Sequence, residues 1–224
     1  MHRRFAGTAT WWSSSLLLSA LVLGYRPAPL AAQVQVGPSL GAFWPQGGWT
    51  QDFGGYHVER RHLAALMLGG RVAYWPTTRW GLEGAVSFAP SQVAVSEPDN
   101  TQDITAGVIL SSVRALLRLA TLVDGNEGSG LAHWDINVGA GAGIIARRGS
   151  AWNNVSGTTH PAAVLVLETR TDLARTVTIR AGLEDFVSWV RFNRDLPSET
   201  HARVHHDLVI TIAMQVHLGR RAVR

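Results

Sequence analysis

Apolar and polar residues alternate along most of the chain after residue 33, and a period of two residues predicts β-strands. The last segment shows it best, with Thr211, Gln215 and His217 interleaved among Leu208, Ile210, Ile212, Met214, Val216 and Leu218. Counting alternation in this way predicts eight strands, at 34–42, 66–74, 82–88, 109–119, 134–144, 163–173, 177–184 and 207–218. Residues 113–119 also fit a helical period, so a helix stays an open alternative there.

The predicted connections alternate between short and long. Short turns lie at 76–79 and 174–176, whereas longer segments rich in Gly, Asn, Pro and Asp lie at 45–62, 95–103, 147–161 and 193–202. Short turns on one side and long loops on the other are typical of outer-membrane β-barrels. One long linker, 120–132, falls on the short-turn side and breaks the rule.

The N-terminal segment has the features of an export signal. Arg3 and Arg4 precede a short apolar run at 16–23, and Ala31 and Ala32 supply small residues for cleavage. We predict a secretory signal peptide at 1–32, a barrel at 33–219 and a basic C-terminal tail at 220–224. An uncleaved membrane anchor is the weaker alternative, because the apolar run is too short to span a bilayer comfortably.

Composition narrows the class of protein further. Only 16% of the residues are charged, against about 25% in soluble domains, which indicates a surface that does not all face water. The chain has no cysteine, which excludes disulfides and a thiol nucleophile. It also lacks a run of Lys and Arg interleaved with aromatics, so nucleic acid is not an expected partner.

The two faces of the predicted strands differ in a way that favours a membrane barrel over a soluble, lipocalin-like one. The apolar faces carry no charge at any strand centre, and the opposite faces are mostly Gly, Ala, Ser and Thr. Aromatic residues gather at both strand ends, as in the interfacial girdles of membrane proteins. The short-turn girdle is predicted to hold Tyr74, Trp75, Trp80 and Trp134, and the long-loop girdle Phe43, Trp44, Trp152, Trp189 and Phe192.

Charged residues fall on the face predicted to point inward. They are Arg71, Arg114, Arg118, Arg170 and Arg180 together with Glu83, Asp135, Glu168, Asp172, Glu184 and Asp207. Because the two signs nearly cancel, we expect a network of buried ion pairs and a closed polar lumen. An aqueous channel needs about 16 strands, so a porin role is not expected.

Candidate catalytic chemistry is sparse. His205 and His206 lie near the rim of the last strand, with Ser188 and Ser198 near them in sequence. A lipid-modifying enzyme that acts on lipid A through such a His/Ser pair is one alternative, and a soluble periplasmic ligand-binding barrel is another. The histidines show no metal-ligand spacing such as HExxH, so we expect no metal, no cofactor and no catalytic residue.

The export signal, eight alternating strands and long outer loops together resemble the small outer-membrane β-barrel superfamily, the OmpA-like and OmpX-like group. The resemblance covers about 33–219 and rests on pattern, and the chain departs from it by ending in a basic tail instead of an aromatic residue. It implies an all-β, eight-stranded antiparallel up-and-down transmembrane barrel in the outer membrane. Implied partners are outer-membrane lipid, lipopolysaccharide and the barrel-assembly machinery.

Members of that group act as membrane tethers, adhesins or resistance factors, so the resemblance implies a structural or surface-interaction role. An unknown extracellular ligand is a further expected partner. In the first outer loop, Gly47–Trp49 and Phe53–Tyr56 combine aromatics with flexible glycines, which makes them the best candidate contact surface.

The face assignment generates a test at two adjacent positions. Ile210→Arg, predicted to face lipid, is expected to lower the free energy of unfolding by about 2–4 kcal/mol. Thr211→Arg, predicted to face the lumen, depends instead on local room and ion pairing. Urea titrations of folding into lipid vesicles measure both losses, and equal losses would show that the assigned register is wrong.

Overall fold

The computed structural model describes residues 33–53, 56–97, 100–123, 133–153, 157–174, 176–190 and 203–218. The predicted signal peptide and the basic tail lie outside the described residues and stay predictions. Among the described residues, no helix has the length and hydropathy needed to cross a bilayer.

Nearly all of the described backbone is β-strand. The strands, in chain order, are β1 (Gln33–Gln46), β2 (Gly48–Phe53), β3 (Tyr56–His62), β4 (Ala65–Trp75), β5 (Trp80–Glu97), β6 (Asn100–Val123), β7 (His133–Arg148), β8 (Thr159–Ala174), β9 (Val177–Val190) and β10 (Arg203–Leu218). A short 3-10 helix, Ser150–Trp152, follows β7.

Eight of these strands form a closed antiparallel ring. Each strand of the series β4, β5, β6, β7, β8, β9 and β10 pairs with the next, and β1 closes the ring by pairing with both β4 and β10. The predicted fold class, an eight-stranded antiparallel up-and-down barrel, is confirmed. The helical alternative for residues 113–119 is wrong, because this segment lies within β6 and pairs with β5 and β7.

Two of the predicted outer loops are mostly strand, and a third, 147–161, contains the 3-10 helix and the ends of β7 and β8. The segment 45–62 contains β2 and β3, which form a hairpin that adds to the outer end of β5. The chain bends into it at Gly47, whose φ of +97° is a conformation that favours glycine. The segment 95–103 is also mostly strand, since β5 runs to Glu97 and β6 begins at Asn100. Both loop predictions missed strands because polar residues predominate in these segments, so the alternation of apolar and polar positions does not show there.

The predicted linker at 120–132 is shorter than expected at its start, because β6 continues to Val123. A register shift between Arg118 and Ala120 marks a β-bulge in β6. Before the bulge the odd-numbered residues of β6 face outward, and after it the even-numbered residues do. Leu119 and Leu122 therefore both face outward. A bulge of this kind defeats simple period-two counting.

Side chains in the ring alternate between a belt of exposed apolar residues and a buried interior. Ile210 is 51% exposed on the outer face, whereas its neighbour Thr211 is 3% exposed inside. The belt runs around the ring and includes Leu40, Leu66, Leu68, Val72, Leu82, Val86, Phe88, Val113, Ile144, Leu165, Leu167, Leu183, Ile210, Ile212 and Met214. Buried arginines and glutamates lie inside. A soluble barrel has its apolar side chains inside and its polar side chains outside. The arrangement here is the reverse, so the alternative of a soluble periplasmic barrel is wrong.

Candidate functional site: the barrel lumen

The lumen is narrow, and glycines on β7 make room within it. Gly139 and Gly141 lie opposite Leu116 and Arg114 on the neighbouring β6. A Cβ atom at either glycine would overlap the backbone and side chains of β6. The glycine-rich character of this strand therefore lets large side chains of β6 lie across the lumen.

The middle of the lumen holds a group of six charged residues, here called the central network. Its members are Arg71, Glu83, Arg114, Glu168, Arg180 and Glu184. All are nearly excluded from solvent. Three positive and three negative charges balance, as burial of ions requires.

Glu83 and Glu184 connect the walls of the barrel through this network. Glu83 on β5 pairs with Arg71 (3.3 Å), with Arg114 and, across the lumen, with Arg180 on β9. Glu184 on β9 pairs in turn with Arg71 and with Arg114 Nη1 at 2.5 Å. Because each carboxylate joins strands on opposite walls, the network fixes the cross-section of the barrel as well as balancing its charge.

Neutral side chains complete the network. Arg71 Nη2 donates to Thr211 Oγ1 (2.8 Å), and Arg180 Nη1 donates to Gln215 Oε1 (3.0 Å). Asn137 Nδ2 donates to Glu168 Oε1 at 3.0 Å. With these partners, every strand of the ring except β1 contributes a side chain to the network.

A second charged group lies nearer the short turns. Asp135 pairs with Arg118 and Arg170, each at 3.2 Å. The two guanidiniums lie over the ring of Trp75, at 5.6 and 4.9 Å from its centroid. The single carboxylate of Asp135 faces two guanidiniums, and the cation–π contacts with Trp75 stabilise the second positive charge. Trp75 therefore lies inside the barrel, 4% exposed.

Further toward the short turns, the lumen ends in a polar layer. Thr178 Oγ1 donates to Asp172 Oδ1 at 2.6 Å and also lies 2.7 Å from His217 Nε2. The His217 ring in turn lies 3.5 Å from the Gln35 amide. Asp172 is thus separate from the central network, at the short-turn end.

On the long-loop side of the central network the lumen is filled with apolar side chains, here called the apolar plug. It consists of Phe43, Met67, Ala89, Val108, Leu110, Ile145, Ala162, Val164, Val166, Phe186 and Val209. The expectation of a polar lumen is therefore wrong for this half. The signal was present in the sequence, since Phe186 has the same strand parity as Glu184, and Val166 the same parity as Glu168.

Beyond the apolar plug, a buried ion pair and an aromatic cluster complete the outer end. Arg147 Nη2 pairs with Asp207 Oδ2 at 2.7 Å. Trp152, 5% exposed, packs with Val93, Ala106 and Val190. Sequence reasoning missed Arg147, because it assigned residue 147 to a loop, whereas β7 continues to Arg148.

The structure divides the predicted girdle residues into two sets. Those exposed at the two ends of the apolar belt are Tyr74, Trp80 and Trp134 on the short-turn side and Trp44 and Trp189 on the long-loop side. Girdle positions for Trp75, Trp152 and Phe43 are wrong, because these side chains are buried inside. Trp75 follows the exposed Tyr74, and Phe43 precedes the exposed Trp44. Because neighbouring residues of a strand point to opposite faces, the sequence already indicates that Trp75 and Phe43 point inward. Phe192 lies outside the described residues.

The predicted charged residues are all placed inside, but not all in one network. Six form the central network, while Asp135, Arg118 and Arg170 form the group around Trp75. Across the β8–β9 turn, Glu168 pairs with Arg180. Arg170 pairs with Asp135, and Glu184 pairs with Arg71 and Arg114.

The residues of the enzymatic alternative are divided between the two faces of the barrel wall, with Ser188 and His205 on the inner face and His206 on the outer face. Ser188 pairs with His205 across β9 and β10, and Ser188 is fully buried inside. His206 faces outward, where its Nδ1 lies 2.8 Å from Asp185. Ser198 is outside the described residues. Within the described part of the chain, no His/Ser pair is formed on the lipid side, and no three His, Asp or Glu side chains are placed to hold a metal.

Comparisons with known proteins agree with this architecture at the level of fold. No protein-family model matches the chain, and no curated protein matches it significantly. The outer membrane protein OprG from Pseudomonas aeruginosa superposes with a TM-score of 0.61 at 11% identity, covering 85% of this chain and 97% of OprG. The outer membrane protein AlkL, solved in DMPC bilayers, superposes with a TM-score of 0.56 at 10% identity, covering all of both chains.

The closed ring, the exposed apolar belt and the buried charges define a transmembrane β-barrel of the outer-membrane type. The chain has the fold of the small outer-membrane β-barrel proteins, as the resemblance implied. The predicted location in the outer membrane agrees with that fold.

The charge balance of the central network predicts a large effect of one neutral substitution. Glu83→Gln leaves three buried arginines facing two carboxylates, which is expected to cost about 3–5 kcal/mol of unfolding free energy. Asp103→Asn, the same charge change at an exposed site of β6, is the control and is expected to cost less than about 0.5 kcal/mol. Urea-induced unfolding in vesicles compares the two. Similar costs would contradict a charge-balanced network.

Proposed function

We propose that the protein is an outer-membrane barrel with a closed lumen that serves as a surface-interaction platform and performs no catalysis. Its contact element would be the outer sheet, defined here as β2, β3 and the outer ends of β5 (91–97) and β6 (100–106). The observation that supports this role is that the outer sheet projects beyond the apolar belt and has a free edge.

The projection follows from strand length. On β5, the last exposed large apolar residue is Phe88, and the strand continues to Glu97. Nine more residues correspond to about 30 Å of strand at about 3.3 Å per residue. On β6, Thr101, Gln102, Asp103 and Thr105 are all exposed. Polar exposed residues fit a sheet that stands in water above the membrane.

The free edge belongs to β2. Among the described residues β2 pairs with β3 alone, so its other side carries backbone N–H and C=O groups with no neighbouring strand. Such an edge pairs readily with an added strand, and many proteins bind extended peptides in this way. A partner with an extended segment, a protein or a peptide, is therefore the class we propose.

A lumen filled at several levels supports an interaction role over a transport role. The central network, the apolar plug and the cluster around Trp152 follow one another toward the outer end. Eight strands leave an interior that side chains fill. The barrel itself would then act as the membrane anchor of the outer sheet.

Lipid is the second proposed partner. Trp44 and Trp189 are exposed at the long-loop end of the belt, and the exposed Arg148 lies at the outer end of β7. Aromatic rings and a guanidinium at this level suit the headgroups and phosphates of lipopolysaccharide. We also propose assembly by the barrel-assembly machinery, with closure through β1 and β10.

A closed lumen predicts low conductance. In planar bilayers the wild-type barrel is expected to show no stable ionic current at neutral pH. Phe186→Ala and Phe43→Ala empty the apolar plug at one level only, so the central network and the cluster around Trp152 are expected to keep the lumen closed and this variant silent as well. A steady current through the wild-type barrel would contradict closure.

The outer sheet predicts a binding defect when β2 is altered. Adjacent residues of β2 direct their backbone N–H groups to opposite edges of the strand. Of Thr50→Pro and Gln51→Pro, one therefore removes an N–H group from the free edge, and the other removes one from the pairing with β3. Both are expected to lower affinity for members of an immobilised library of extended peptides at least tenfold in nanodisc binding assays. Thr77→Pro, in a short turn, is the matched control. If the wild type binds no extended peptide, or if the variants bind as it does, the proposed role fails.

A further inference from the structure

His62 occupies the point where the β2–β3 hairpin returns to the barrel. It is the last residue of β3, pairs with Val93 of β5 and is only 4% exposed. Its ring packs edge-on against Phe43 of the apolar plug (5.5 Å between centroids) and at a tilt against Trp152 (5.9 Å). His62 Nε2 and Ser91 Oγ are hydrogen-bonded at 2.5 Å. One side chain thus fastens the hairpin to the barrel, the plug and the segment after β7.

The charge that acts on His62 comes from Arg147 of β7. Arg147 is buried and paired with Asp207 of β10, so the carboxylate at this level is already engaged. The other titratable side chains on the inner face at this end, within the described chain, are His160 of β8 and His205 of β10, whereas Arg61, Asp103 and Arg148 are exposed. Phe43, Trp152 and Ser91, which contact His62 directly, carry no charge. The surroundings therefore hold a neutral imidazole and oppose an imidazolium.

We infer that His62 is a pH-sensitive latch, which holds the β2–β3 hairpin on the outer end of the barrel when neutral and releases it when protonated. The inference goes beyond the proposed surface role and does not depend on it, because it concerns the attachment of the hairpin and not its partner.

The direction of the pH dependence follows from the two protonation states. His62 lies beyond the apolar belt, and burial, aided by Arg147, lowers its pKa from 6.5 to about 3. Its Nδ1 has no hydrogen-bond partner among the described residues, so an imidazolium would bury a second N–H unsatisfied. Because the pKa is lowered in the latched form, that form is fully stabilised above pH 6.5 and loses stability as the pH falls toward 3.

The size of the effect is set by the same pKa values. Between pH 8 and pH 5, a group that titrates at 6.5 when released and at about 3 when latched shifts the equilibrium toward release by roughly thirtyfold. A shift of this size is measurable even if the hairpin stays mostly attached at pH 5.

Hydrogen–deuterium exchange of the barrel in nanodiscs tests the latch directly. Protection factors are measured at pH 8, 6.5 and 5 and corrected for the intrinsic pH dependence of exchange, so that they report local opening. Amides of residues 59–62 are expected to lose roughly thirtyfold in protection from pH 8 to pH 5. Amides of the β8–β9 ladder serve as the internal reference and are expected to stay constant.

Two histidine variants separate the latch from general titration. His62→Gln keeps a neutral hydrogen-bonding side chain and is expected to abolish the pH dependence at residues 59–62. His206→Gln removes a half-exposed histidine on the outer face and is expected to leave it unchanged. If His62→Gln does not reach the heat-modifiable folded form, His62→Asn replaces it. Constant wild-type protection, or a pH response that persists in the His62 variant, would overturn the inference.

Discussion

The pairing of β1 with β10 is the constraint on which the rest of the structure depends. In hydrocarbon an unpaired backbone N–H or C=O group costs several kcal/mol, so a sheet can cross the bilayer only if it has no open edge. The register from Val34–Leu218 to Gln46–His206 removes both edges within the belt. Once the ring is closed, each strand has one face toward lipid and one toward a narrow interior, and every side chain must suit one or the other.

Closure limits the side-chain volume that the interior can hold and requires the charges inside it to be paired. Eight strands enclose too little space for water to solvate several ions, so the arginines and glutamates of the central network satisfy one another across the lumen. Glycines of β7 give up side-chain volume so that Arg114 can reach Glu83 and Glu184. Nearer the short turns, the ring of Trp75 contacts two guanidiniums and helps to stabilise their buried positive charge.

Outside the belt the constraint is lifted, and the same strands behave differently. Water satisfies the backbone there, so β2 keeps an open edge and the ends of β5 and β6 expose polar residues. His62 stands at the boundary between the two regimes. It ties a solvated hairpin to the buried top of the barrel, which is why its protonation is costly and why the attachment of the hairpin responds to pH.

Period-two alternation by itself determined the eight ring strands, the lipid-facing residues such as Ile210 and the inward charges such as Glu83 and Arg180, because strand parity is a local property. Parity also placed Trp75 and Phe186 inside, although the aromatic pattern and the expectation of a polar lumen had obscured it. Only the tertiary structure decided which arginine meets which carboxylate, since Glu83 and Arg180 are brought together by ring closure across the lumen. The same holds for the hairpin of β2 and β3, because the pairing of His62 with Val93 joins residues that no local pattern connects.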